Sequence, residues 1–204
     1  MGDNIMSSYE NYIKDFPNRI SILYDNYLKP AKHDKLEVTF LLSLAASGIA
    51  VPLDRLRSDN KYPDPFEDRN TFTNAAKKFD ELYTKSFRES ELWDSAFEEW
   101  RYGIRYSVDN HPDLWPELSS AKQIDTSTKV ESVITHLRIS LAHGLICVLG
   151  EPEIEKILLL KGNKKEGKFL VLTPQSLGIF LKNWIRWLQT LNVWNERNSP
   201  SASQ

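Results

Sequence analysis

Residues 127–149 constrain the fold most, because their pattern predicts a helix that is apolar on two sides. A helix turns about 100° per residue, so a first apolar set gathers into one stripe. Its members are Val130, Val133, Ile134, Leu137, Leu141, Leu145 and Val148. A second set gathers on the opposite side and comprises Ile139, Ala142, Ile146 and Leu149. We expect Gly150 and Pro152 to end this helix, and each stripe needs a covering neighbour.

Helical spacing recurs in the N-terminal half. Residues 7–28 predict two helical pieces that meet at Pro17, after a capping Asp15. Residues 36–46 predict a second helix, which we expect Gly48 and Pro52 to stop before a short helical turn, VPLDRLR.

The rest of the chain predicts loops, a hairpin and a final helix. The proline-containing residues 59–69 and 110–124 predict loops, and helical pattern resumes near Thr73. The short runs EIEKILLLKG and KFLVLT, joined by GNKKEG, predict a β-hairpin, and an amphipathic helix follows from Pro174 to about Leu191. The expected fold is therefore a mainly α-helical bundle with a small antiparallel β-hairpin before the C-terminal helix.

Length and composition favour a single domain. The chain has 204 residues, of which 41% are hydrophobic and 26% charged. We expect one helical domain over residues 1–197 and a disordered tail over residues 198–204. The net charge is only -2, so any phosphate site must be a local concentration of basic residues.

No membrane partner is expected. The longest apolar run, residues 40–53, is shorter than the roughly 18 to 20 residues that cross a bilayer. The N-terminal residues lack the pattern of a signal peptide, and the lone Cys147 suits a reducing compartment. These features predict a cytoplasmic protein.

The stretch LRISLAHGLI, residues 137–146, places Arg138 and His143 within an apolar run. On the predicted helix they lie roughly 140° apart around the axis and flank the second stripe. If another element of the same fold covers that stripe, both residues are packing partners. If a second copy covers it across a two-fold axis, two Arg and two His surround one cleft, which suits phosphate binding.

RISLAHG resembles the signature of the HEPN superfamily, an Arg followed after four to six residues by a His in a late helix. FLLSLAASGIAVPLDRLR is similar to the early helix of one branch and its proline-containing turn. EIEKILLLKGNKKEGKFLVLTPQSLGIFLKNWIRWL resembles the hairpin and final aromatic helix of that branch. Residues 54–126 match no motif of the superfamily.

The resemblance implies a homodimeric, metal-independent endoribonuclease of a toxin or antiphage system, without a cofactor. His143 would exchange protons with the ribose 2′-OH or the leaving 5′-oxygen, since imidazole titrates near neutral pH. Arg138 would stabilise the phosphate charge. Many active members carry a polar residue directly after the Arg, where this chain has Ile139, so Ser140 is the candidate supporting residue.

The expected partners are an RNA substrate, a second copy that docks on Ile139, Ala142 and Ile146, and an antitoxin or regulatory protein. Some toxin members carry a Tyr that a nucleotidyltransferase modifies, and Leu145 stands at that position, so this silencing route is not expected. The alternative is a non-catalytic HEPN-like module that dimerises or binds RNA or protein.

Two further stretches are candidate RNA contacts. WRYGIRY interleaves Arg101 and Arg105 with aromatic residues that can stack on bases, or it is a helix with aromatic core contacts. Lys164 and Lys165, at the predicted hairpin tip, contact phosphates or only solvent. The His residues and Cys147 are dispersed, which predicts no metal site.

Overall fold

The computed structural model describes residues 12–56, 69–105, 117–162 and 167–198. Within these ranges the helices are α1 (Tyr12–His33), α2 (Glu37–Leu56), α3 (Arg69–Thr84), α4 (Glu117–Ser120), α5 (Val130–Ala142) and α6 (Pro174–Asn198). The strands are β1 (Arg101–Arg105), β2 (Lys122–Gln123), β3 (Ile146–Leu149), β4 (Lys156–Gly162) and β5 (Gly167–Leu172). Two short 3-10 turns, Phe87–Glu89 and Ser95–Glu99, lie between α3 and β1. The expectation of a mainly helical fold is confirmed.

The helices form a bundle in which α2 and α6 each pack against several other helices. α6 packs against α1, α2 and α3, and α2 also packs against α5. Leu41 and Ile49 of α2 and Phe180 and Trp184 of α6 are fully buried. The Trp184 ring stacks on Trp187 with centroids 5.4 Å apart. The apolar faces of these helices thus form one continuous core.

The predicted small hairpin is real, but it is part of a larger sheet. β4 and β5 pair as expected, with Leu159 opposite Leu170. The sheet has five antiparallel strands in the order β2-β1-β5-β4-β3. The extra strands have two to five residues, too few to produce a clear alternating pattern.

β1 lies within WRYGIRY, so the expectation of a helix there is wrong. Gly103 explains part of the difference. A Cβ atom at this position would lie 2.0 Å from the Phe169 ring, which rests on the Gly103 backbone across the β1–β5 pair. Only glycine allows this close approach. Gly103 is therefore needed in β1, although glycine is generally unfavourable in strands.

The predicted breaks at the N-terminal prolines and at Gly48 are wrong. α1 continues through Pro17, and α2 continues through Gly48 and Pro52 to Leu56. Proline lacks the N–H that would bond the carbonyl four residues earlier. At Pro52 that carbonyl belongs to Gly48, and it accepts a 2.7 Å hydrogen bond from the Trp184 indole N–H. A side chain of α6 therefore replaces the missing helical bond.

α2 is long and apolar enough to cross a membrane by length and composition alone. Eight of its residues, from Leu41 to Leu56, are buried against the rest of the chain. This packing accounts for its hydrophobicity and is typical of a core helix.

The predicted long helix over 127–149 is also wrong at its C-terminal end. α5 ends at Ala142, and β3 begins at Ile146. The Leu145 N–H bonds the Ser140 carbonyl at 2.9 Å, and the Gly144 N–H bonds the Leu141 carbonyl at 3.4 Å. With Gly144 at φ 63°, this is a Schellman motif, which ends helices.

Other boundaries shift by smaller amounts. α3 begins at Arg69, four residues before Thr73, and α6 starts at Pro174 as expected but extends to Asn198. The described end of the second predicted loop is not a loop, because it holds α4 and β2. The start of the predicted 7–28 segment, the remaining part of that loop, almost all of the 59–69 loop, Lys164, Lys165 and the tail beyond Asn198 lie outside the described residues. The single-domain boundary of 1–197 stays a prediction.

Candidate active site

The first apolar stripe of α5 faces the core, as predicted. Val130, Val133, Ile134 and Leu137 are fully buried, and Leu141 is nearly so. Neither Arg138 nor His143 belongs to this face. Both side chains therefore lie outside the packed interior.

Arg138 lies one turn before the C-terminal end of α5, next to the C-terminal turn of α2. Its Nη2 donates to Oδ1 of Asp54 at 3.2 Å. The side chains are 36% and 58% exposed, respectively. An exposed pair like this contributes about 1 kcal/mol or less to stability. Its structural effect is to orient the guanidinium, because within the described ranges Asp54 is its only hydrogen-bond partner.

His143 is the C-cap of α5, where the helix gives way to the turn before β3. Its backbone N–H bonds the Ile139 carbonyl at 3.1 Å, while its side chain is exposed. The left-handed Gly144 directly after it fixes the direction in which the chain leaves the helix. The backbone of His143 is thus held on both sides, and the imidazole stays accessible.

Arg138, Ala142 and His143 together form an open surface at the C-terminal end of α5. Ala142 lies one turn beyond Arg138 on the same side of the helix and is exposed. Residues 142–145 are all exposed. Arg138 and His143 therefore both lie near the C-terminal end of α5, outside its core face.

Ser140 has a different environment from the one expected of a supporting residue. It is fully buried, and its hydroxyl lies 2.9 Å from the His136 carbonyl and 2.8 Å from the Leu160 carbonyl of β4. It lies on the opposite side of α5 from Arg138, two residues away. In this arrangement Ser140 joins α5 to the sheet and is not brought together with Arg138 and His143.

The expected dimer face is only partly assembled. Ile139 is half-buried and Ala142 is exposed, both on α5, but Ile146 lies on β3 and packs against the core. The second helical stripe therefore does not exist as one surface. Leu145 and Val148, which were assigned to the core stripe, are instead 36% and 42% exposed.

The two candidate RNA contacts that the structure describes, Arg101 and Arg105, lie away from this surface. Arg101 is on β1, which β5 and β4 separate from β3, a distance of about 14 Å at the usual strand spacing. Its Nη1 donates to the carbonyls of Glu98 and Trp100, so it holds the preceding turn. Arg105 ends the same strand.

His136 is a buried imidazole that the sequence pattern did not single out. It is 2% exposed, and its Nε2 lies 2.8 Å from the Leu159 carbonyl, to which it donates. Burial is the main reason that its pKa is lowered to about 4, and the nearby charges of Lys161 and Lys168 act in the same direction. Its position three residues after Val133 and directly before Leu137, both in the first apolar stripe, is the sequence signal that could have identified it as buried.

A family model described as HEPN pEK499 p136 matches residues 6–193 of the chain. The chain belongs to this family. The resemblance to the HEPN superfamily is thereby confirmed, and the match includes residues 54–126, which no motif had covered. No curated protein and no solved structure matches the chain significantly. The Arg138–His143 pair of this HEPN chain is the candidate active site, and no described group of three or more His, Cys, Asp or Glu suits a metal ion.

Proposed function

We propose that the chain is a metal-independent endoribonuclease in which Arg138 and His143 act together. The observation that carries the proposal is their shared position: both are accessible at one end of α5, outside its core face, in a chain of the HEPN family. A cationic donor and an acid–base group beside an open surface are what phosphodiester cleavage requires.

In the proposed reaction the ribose 2′-OH attacks the adjacent phosphorus. His143 accepts the 2′-OH proton as the O2′–P bond forms, and a histidine returns a proton to the 5′-oxygen as the P–O5′ bond breaks. Arg138 donates N–H groups to the phosphate oxygens and stabilises the added negative charge. The products are a 2′,3′-cyclic phosphate and a 5′-OH, and DNA is spared because it lacks the 2′-OH nucleophile.

Asp54 is a positioning residue in this proposal. It uses one guanidinium nitrogen of Arg138, Nη2, so the Nη1 and Nε donors remain for a phosphate. A guanidinium that is already oriented loses less side-chain entropy when it binds.

We further propose that two copies meet at this end of α5, so that two Arg138–His143 pairs share one cleft. Three exposed apolar residues follow each other closely in this part of the chain, namely Ala142 and Leu145 on either side of His143 and Val148 on β3. Leu145→Glu and Val148→Glu would place charges in the contact and should yield monomers with unchanged circular dichroism. Leu36→Glu, at a comparably exposed position after α1, is the matched control. A wild-type chain that is monomeric at tens of micromolar by light scattering contradicts this dimer.

A non-catalytic HEPN-like module that dimerises or binds RNA or protein is the second candidate. It is favoured by the Arg138–Asp54 ion pair, which gives Arg138 a partner within its own chain. On either reading we propose a cytoplasmic protein with an antitoxin or regulatory partner.

The deciding experiment incubates the purified chain with total RNA and with single-stranded DNA in EDTA. We expect RNA cleavage with cyclic phosphate ends and no cleavage of DNA. Arg138→Ala and His143→Ala should each lower the rate by about 10² to 10⁴, while unfolding free energies change by about 1 kcal/mol or less. The control His33→Ala removes an exposed imidazole elsewhere. If the wild type leaves RNA intact, the ribonuclease proposal is wrong and the non-catalytic module is favoured.

A further inference from the structure

The two edges of the five-stranded sheet differ in how they are protected. β2 forms one edge and has two residues, Lys122 and Gln123, both of which are exposed. Charged side chains and very short strands are features that keep an edge from pairing with another chain. β3 forms the other edge, and its four residues, ICVL, include neither a charged residue nor a proline. The β3 edge is therefore the one that can accept a further strand.

The backbone groups of β3 alternate between β4 and the open edge. The Leu160 N–H of β4 bonds the Leu145 carbonyl at 2.9 Å, which makes these two residues a hydrogen-bonded pair. Such pairs alternate along an antiparallel ladder, so Cys147 directs its backbone groups toward β4, whereas Ile146 and Val148 direct theirs outward. Among the described residues, none forms a hydrogen bond with these two outward N–H groups and two outward carbonyls.

The side chains of β3 are apolar on both faces of the sheet. Ile146 packs against the main core, and Val148, two residues further along the strand, is 42% exposed. Cys147 packs against a smaller apolar cluster that includes side chains of β4 and β5. Leu145, directly before the strand, is 36% exposed. A strand added at this edge would cover apolar side chains as well as bond the outward backbone groups.

We propose that β3 of a second copy pairs antiparallel with this edge, across a two-fold axis at Cys147, so that the two five-stranded sheets become one continuous sheet. Within the four residues of β3, one register bonds all the outward groups of both strands. It places Ile146 of each copy opposite Val148 of the other. This inference specifies the interface of the dimer proposed above and rests on that dimer, but not on RNA cleavage.

The strand is complementary to itself in this register. Ile146 faces the second copy's Val148, Cys147 faces the second copy's Cys147, and Leu149 faces the second copy's Leu145. Apolar pairs that include β-branched residues stabilise antiparallel strands. The two-fold axis repeats each pair that lies off the axis. A second copy therefore matches both the backbone groups and the side chains of this edge.

The two ends of β3 carry opposite charges, and antiparallel pairing brings these ends together. Arg138 and His143 precede the strand, whereas the exposed Glu151 and Glu153 follow it. Within one chain the strand separates the two ends by roughly 13 Å, from the usual rise per residue. In the proposed register the second copy's Glu151 comes next to His143, while parallel pairing would bring like charges together. The second copy thus supplies a carboxylate that can accept an N–H of the candidate active-site imidazole.

The single cysteine of the chain reports this register directly. Cα atoms of a non-hydrogen-bonded pair lie about 4.5 Å apart, within the span of a disulfide of about 4.4 to 6.8 Å. Oxidation of the wild type with diamide should therefore convert most of the chain to a disulfide-linked dimer on a non-reducing gel. Cys147→Ser should give no such dimer. Gln123→Cys in the Cys147→Ser background, at the opposite edge of the sheet, should give only the slow cross-linking of random collisions.

A proline variant tests the backbone hydrogen bonds. Val148→Pro removes an N–H that makes no bond to β4, so the circular dichroism spectrum should stay unchanged. The variant should dimerise about tenfold or more weakly by analytical ultracentrifugation, because the two-fold axis doubles the loss to two hydrogen bonds. Val148→Ala shortens the side chain but keeps the N–H, and it should weaken the dimer less than proline does. If Val148→Pro unfolds, the cross-linking of the folded wild type still decides the question.

A charge exchange tests the contact between the strand ends. Glu151→Lys should weaken dimerisation, because it places a cation beside Arg138 and His143 of the second copy. His143→Glu in the same chain should restore dimerisation toward that of the wild type. Glu89→Lys makes the same charge change at an exposed position before β1 and should dimerise as the wild type does.

Two results would overturn the β3 interface while leaving a dimer in place. One is a dimeric wild type that cross-links through Cys147 no faster than the Gln123→Cys control, and the other is a folded Val148→Pro that dimerises as the wild type does. Unchanged dimerisation of Glu151→Lys would contradict the contact with His143. A monomeric wild type would contradict both the dimer and this interface. RNA cleavage is measured separately, so its absence would leave the β3 interface unaffected.

Discussion

The buried His136 makes the stability of this fold depend on pH between about 6.5 and 4. Its pKa in the folded chain is about 4, whereas a free imidazole titrates near 6.5. Between these values the unfolded chain binds the proton more readily, so protonation favours unfolding. The contribution is fully present above the unfolded pKa and is lost as pH falls through the folded pKa.

The expected size follows from the difference of roughly 2.5 pKa units, which corresponds to roughly 3 kcal/mol. Such a loss is a large part of a typical domain's stability of about 5 to 15 kcal/mol. We would measure urea unfolding by tryptophan fluorescence at pH 7, 6, 5 and 4.5. The free energy of unfolding should fall steeply over this interval in the wild type.

A variant separates the contribution of His136 to this pH dependence from that of carboxylates that titrate over the same interval. His136→Phe keeps a ring against Tyr102 but cannot titrate, and it loses the bond to the Leu159 carbonyl. It should be less stable at pH 7, yet its stability should change less between pH 6.5 and 4.5 than that of the wild type. His33→Gln, at an exposed position, should keep the wild-type slope. Equal slopes in the wild type and His136→Phe would refute the reasoning.

Three other substitutions test the surroundings of the candidate active site. Gly144→Ala should lower the free energy of unfolding by about 1 to 2 kcal/mol by chemical denaturation, because alanine is strained at φ 63°. Asp54→Ala should slow RNA cleavage, because Arg138 loses the partner that orients its guanidinium. Asp54→Asn keeps an oxygen acceptor and should recover most of the rate. Equal cleavage rates in the two variants would contradict a positioning role of Asp54. Ser140→Ala should lower the free energy of unfolding by about 1 kcal/mol in urea, because it removes the hydrogen bond to the Leu160 carbonyl. A lower cleavage rate at unchanged stability would instead assign Ser140 a catalytic role.

The sequence predicted the buried face of α5 correctly but not its end. Helical periodicity identifies Val130, Val133 and Leu137 because they recur at fixed intervals within one element. The apolar pattern continues past Ala142, since β3 is also apolar, so periodicity alone extends the helix. Gly144 was the available signal, and it follows the candidate His143 directly. Because Gly144 ends α5, Arg138 lies within the helix whereas His143 lies at its C-cap.

The sheet shows a different limit of structure prediction from the sequence. The hairpin of β4 and β5 was predictable because two apolar runs flank a glycine-rich turn. β1 and β2 gain their hydrogen bonds from strands far along the chain, and nothing local in two to five residues indicates that pairing.

The bond between the Trp184 indole and the Gly48 carbonyl implies that positions far apart in the chain should evolve together. Pro52 leaves that carbonyl without its helical partner, and Trp184 supplies the replacement. A relative with alanine at position 52 regains the helical N–H and no longer needs an indole at position 184. We expect family members to change these two positions jointly, and Pro52→Ala to make Trp184→Phe more tolerable than it is alone.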